Sequence, residues 1–78
     1  MKRIETYTLE QLHKNYISTN FGKIQLSDGI EDGLKWLSLN GYIILRIENQ
    51  NGIELSVDEA RNSPNKIDVY FSREDFIC

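Results

Sequence analysis

Apolar and polar residues alternate along two neighbouring stretches of this chain. Ile43, Leu45 and Ile47 occupy odd positions, with Arg46 and Glu48 at even ones. After Asn49-Gln50-Asn51-Gly52 the odd positions are again apolar, at Ile53, Leu55 and Val57, with Glu54 and Ser56 between them. A period of two is the mark of a half-buried strand, and a short Gly-containing connection predicts a hairpin. Residues directly opposite in an antiparallel pair project to one face. A two-residue Asn51-Gly52 turn would pair Glu48 with Leu55 and mix the faces. A three-residue loop, Gln50-Asn51-Gly52, pairs Asn49 with Ile53, Ile47 with Leu55 and Leu45 with Val57, and a one-residue slip would flip them all. Three residues ending in Gly predict a type I turn with a bulge and a left-handed Gly52. This register sends Leu45, Ile47, Leu55 and Val57 to the core and Arg46, Glu48, Glu54 and Ser56 outward.

The preceding half reads as helical. Residues 2–7 suit a short strand. Thr8 then caps a helix, with Gln11 completing a capping box and Leu9, Leu12 and Tyr16 at helical spacing. Asn20-Phe21-Gly22 stops it. Residues 23–27 are extended, with Ile24 and Leu26 inward. Asp28 opens a second helix, supported by Glu31, whose core stripe is Ile30, Leu34 and Leu37. Gly29 and Gly33 weaken that helix by about 1 kcal/mol each, which predicts close packing against a neighbouring backbone. Asn40-Gly41 ends it. Residues 58–65, holding Asn62-Ser63-Pro64-Asn65, read as a loop. Ile67, Val69 and Phe71 alternate as a third strand. Ser72 caps a final turn, with Glu74 and Asp75 at its start and Phe76 and Ile77 docking back. The expected fold class is α+β: two helices packed on a small antiparallel sheet, with a C-terminal β-hairpin and a third strand.

Size and charge narrow the function classes. Seventy-eight residues make one domain, 1–78, with little room for a substrate cleft. The net charge of −3 offers no basic field for nucleic acid. No apolar run approaches the ~20 residues of a membrane span, and residues 1–6 lack a leader-type apolar stretch. Cys78, the one cysteine, fits a reducing cytoplasm.

Chemistry-bearing residues are sparse. His13 is the only histidine and has no partner at metal-ligand or dyad spacing. Cys78 has no neighbouring histidine to activate it, and no Gly-rich phosphate loop exists. The expectation is therefore no catalytic, metal or cofactor residues. Glu48 and Glu54 fall opposite each other on the outer hairpin face, with Arg46 diagonal to them: a solvated face, or an acidic spot for a basic partner. Asp28, Glu31 and Asp32 complement the second helix dipole. Trp36 and Leu39 lie off the core stripe, and Tyr42 follows the helix stop. Either they pack on another element, or they form an aromatic anchor of the kind that dominates interfaces. The candidate partner-binding set is Trp36, Leu39 and Tyr42, flanked by Asp32, Glu48 and Glu54.

The order helix, extended segment, helix, hairpin, carried by Leu34, Leu37, Gly41, Tyr42 and Ile43, resembles a winged-helix domain. That resemblance implies a second helix that reads DNA and a hairpin that serves as the wing. Three features depart from it: no additional first helix, a third strand after the wing, and Asp28, Glu31 and Asp32 against Lys35 on the would-be recognition helix, the wrong sign for phosphate. Two function classes follow. One is a non-enzymatic protein-binding module, an inhibitor or adaptor, similar in type to the small anti-CRISPR-like and immunity-like proteins of phages and mobile elements. The other is a winged-helix DNA-binding transcriptional regulator, which would need a basic face assembled from Lys2, Arg3, Lys14, Lys23 and Lys35.

Overall fold

Alternating β-branched and aromatic residues form the centre of the structure. The computed structural model describes residues 6–13 and 21–73. In chain order the elements are β1 (Thr6–Tyr7), α1 (Leu9–His13), β2 (Phe21–Leu26), α2 (Ile30–Leu39), β3 (Tyr42–Glu48), α3 (Val57–Arg61) and β4 (Ile67–Arg73). The domain is α+β, as expected. The strands form one sheet in the order β1-β2-β4-β3. β4 runs antiparallel to both β2 and β3, whereas β1 runs parallel to β2, so the sheet is mixed. The helix α1 lies between β1 and β2 in sequence, and a crossover connection of that kind returns the chain in the same direction.

One face of the sheet carries the core. Ile24 stands opposite Val69, which stands opposite Ile47; Leu26 is opposite Ile67; Gly22 and Ile44 flank Phe71. Onto these the second helix lays Ile30, Leu34 and Leu37, all buried, as its stripe predicts. Leu12 and Ala60 complete the cluster from α1 and α3. A Cβ on Gly33 would stand 3.0 Å from both δ-carbons of Leu26, so close packing does explain this glycine. The neighbour is a side chain rather than a backbone.

The starts of α1 and α2 are capped differently. The Thr8 backbone N–H donates to Gln11 Oε1 at 2.8 Å, and the Gln11 N–H donates to Thr8 Oγ1 at 3.2 Å, the reciprocal capping box. Tyr16 and the side chain of His13 lie outside the described residues. Asp28 does not cap the second helix. Gly29 is its N-cap, with φ of 62° and no side-chain bond, because the helix begins one residue later than a cap at Asp28 would need. Of the expected Asn20-Phe21-Gly22 stop, Asn20 lies outside the described residues, and Phe21 and Gly22 open β2. Asn40 and Gly41 (φ 81°) end α2 as predicted.

The hairpin register holds only near its turn. Asn49 N–H donates to Ile53 O at 2.9 Å, Leu55 N–H donates to Ile47 O at 2.8 Å, and Gly52 has φ of 78°. Beyond the Glu48–Glu54 bridge the second strand does not form. Ser56 and Glu59 make a capping box instead, and α3 starts at Val57. Val57 is therefore a first-turn helical residue and exposed, not core. Leu45 is also exposed, for a different reason. A bulge leaves Ile44 opposite Phe71 and Arg46 opposite Tyr70, with Leu45 unpaired between them. The extra residue resets the alternation, so Ile44 and Ile47 face the core and Leu45 is left at the edge. Ser72 is buried within β4 and caps nothing; the sheet ladder claims it first. Residues 74–78, with the expected final turn and Cys78, lie outside the described residues.

Candidate functional site

The turn at Asn40-Gly41 folds the end of α2 back over the start of β3. Trp36 and Tyr42 meet there, with ring centroids 5.8 Å apart and planes 26° from parallel. Tyr42 meets Phe71 edge-on at 5.4 Å, and the Arg73 guanidinium carbon lies 5.9 Å from the Tyr42 ring. Both rings are partly buried against the core. Leu39 does not join them. It is 83% exposed and lines a different surface.

The acidic residues of the candidate set do not form one rim. Glu48 and Glu54 are bridged as the register predicts, and Arg46 lies between their carboxylates. Its Nε is 2.6 Å from Glu48 Oε2 and its Nη1 is 3.4 Å from Glu54 Oε1. The Tyr70 hydroxyl donates to Glu48 Oε1 at 3.4 Å. Lys23 Nζ lies 5.8 Å from the Tyr70 ring centroid, and Gln25 Nε2 donates to Asp68 Oδ1 at 3.3 Å. These residues occupy the sheet face opposite the core. Opposed carboxylates are costly on a strand pair, and one arginine neutralises much of that cost. Asp32 sits apart, exposed in the first turn of α2.

A groove that residue spacing did not predict opens between α2, α3 and the outer edge of β3. It holds about 360 Å³. Leu34 and Ile44 form its base, Leu39 and Val57 its apolar walls, and Glu31, Lys35 and Arg61 its charged rim. A second depression continues it along β3 past Leu45 and Leu55. Leu45 is 57% exposed and Val57 45%. Three exposed apolar side chains thus gather on one edge of the domain. The available signal was Ser56-x-x-Glu59, a capping-box pattern that removes Val57 from any strand and turns it toward solvent.

The capping box also shifts an ionisable group among the described residues. The Ser56 backbone N–H donates to Glu59 Oε1 at 2.8 Å and holds the Glu59 carboxyl below its ordinary value, with the Ser56 hydroxyl adding to the effect. Among the described residues, no three His, Cys, Asp or Glu side chains are grouped to hold a metal ion. No helix among them is long and apolar enough to cross a membrane. Compared with known proteins, the chain matches no family model, no curated protein sequence and no solved structure.

Proposed function

We propose that this chain is a small non-enzymatic protein-binding module that acts in the cytoplasm as an inhibitor or adaptor of a larger protein, in the manner of the small inhibitors that phages and mobile elements carry. The observation that supports it is the gathering of Leu39, Leu45 and Val57 around the α2–α3 groove. A contiguous exposed apolar surface with a polar rim is the usual mark of a protein interaction site. Trp36 and Tyr42 serve this surface by pinning the end of α2 onto β3, which keeps Leu39 at the groove wall. The exposed start of α2 carries Glu31 and Asp32, which repel a phosphate backbone.

Affinity capture from the native host, with nuclease treatment, tests this reading. A partner that survives nuclease and is lost with Leu39→Glu is the expected result. Partners that vanish with nuclease, together with tight, steeply salt-dependent binding to mixed-sequence duplex, would replace it with the DNA-binding regulator.

A further inference from the structure

We propose that the outer edge of β3 takes up an extended segment of the partner protein as an added strand, with apolar side chains in the α2–α3 groove and a carboxylate directed to Lys35 and Arg61. This rests on the protein-binding reading above and specifies the partner's chemistry. β3 is a terminal strand of the sheet. At its far end the outward-pointing Ile47 carbonyl and Asn49 N–H are already taken by Leu55 and Ile53, so residues 53–55 act as a very short strand on that edge. From Tyr42 to Leu45, β4 pairs on the inner side and no strand lies on the outer side among the described residues. An open row of backbone donors and acceptors is a template for an extended chain, and main-chain pairing with pockets for alternate side chains is a recurring mode of peptide recognition.

The groove lies where such a strand would need it. Side chains of an added strand alternate between the two faces, and those on the core side would enter the space walled by Leu39 and Val57. The bulge at Leu45 interrupts the ladder, so the added strand is short. Charge selects among occupants. The groove is lined by Lys35 and Arg61 against Glu31, whereas Arg46 is held between Glu48 and Glu54. Lys35 makes no ion pair among the described residues, and the Arg61–Asp58 contact is an exposed pair at 3.4 Å that a partner carboxylate can displace. A helix in the groove would leave the strand edge unpaired.

The probe is a phage-displayed library of random peptides selected on the full chain, followed by NMR of the best synthetic peptide bound to it. The expected peptides alternate apolar residues and carry an Asp or Glu. Bound, they show cross-strand contacts to β3 and protect its outer amides from exchange. Leu39→Gln and Val57→Asp each weaken binding about tenfold without lowering the melting temperature. A peptide that binds the groove as a helix overturns the added strand and leaves the protein-binding reading standing. Enriched peptides indifferent to both substitutions, or no enrichment at all, count against both. Self-association of the free chain that Leu39→Gln abolishes would make the occupant a second copy and overturn the inference.

Discussion

Trp36 lies stacked on Tyr42, and Tyr42 stands edge-on to Phe71 in the middle of the core face. This aromatic run joins the last turn of α2 to β3 and β4. It accounts for how a helix with a glycine at position 33 keeps its place on the sheet: the C-terminal end is pinned by rings, and the N-terminal half lies close on Leu26.

Trp36→Ala should therefore lower stability, by about 2–3 kcal/mol in urea unfolding, because a partly buried aromatic and its ring contact are both lost. Its effect should overlap that of Tyr42→Ala rather than add to it. Unchanged melting with lost partner affinity would instead make Trp36 a contact residue.

Gly33→Ala sets two effects against each other. Alanine gains about 1 kcal/mol of helix propensity. Its Cβ would press on both δ-carbons of Leu26 at 3.0 Å, and Leu26 is buried with little room to yield. Overpacking costs about 1–3 kcal/mol, so a net loss of about 1 kcal/mol is expected. A rise in melting temperature would show that Leu26 can move aside.

Gly52→Ala tests the turn. At φ of 78° a side chain is strained, and a loss of about 1 kcal/mol is expected. The same substitution should leave groove binding intact, since Gly52 lines neither depression. Unaltered stability would count against the left-handed assignment.

Ser56→Ala should cost about 1 kcal/mol by removing the cap of α3. The Glu59 carboxyl has a lowered folded value, so its contribution is present above the ordinary glutamate range and is lost as pH falls through the lowered one. NMR titration of Glu59 should place its midpoint below that of an unstructured glutamate. In Ser56→Ala the midpoint should rise only part of the way, because the backbone N–H of residue 56 still donates. An ordinary midpoint in the unsubstituted chain would remove the capping box.

Local periodicity made much of the scaffold legible. Ile30, Leu34 and Leu37 recur at helical spacing, and Ile24 with Leu26 and Ile67 with Val69 and Phe71 recur at strand spacing; all of them are buried. Such patterns are written in the chain because a face can be buried only if its residues return with the period of the element. The Thr8–Gln11 box, the Asn40-Gly41 stop and the left-handed Gly52 are equally local. The Ser56–Glu59 box is as local as these, and it ends the alternation before Val57. Of the site, the sequence singled out Leu39 as off the stripe, but it grouped that residue with Trp36 and Tyr42, which the fold turns to another side.

Tertiary structure alone decided the rest. That β4 lies between β2 and β3 follows from which strands can share a core, and nothing within a single strand specifies its neighbours. The bulge at Leu45 arises from fitting β3 to β4 while Ile44 and Ile47 both reach the core, a constraint that spans two strands. Leu45 and Val57 are apolar in the right phase yet end exposed, the first through that bulge and the second through the start of α3. The groove they line draws on α2, β3 and α3 together. Spacing along the chain records which residues share a face of one element; which elements come side by side, and what surface they leave open between them, is settled only when the whole core packs.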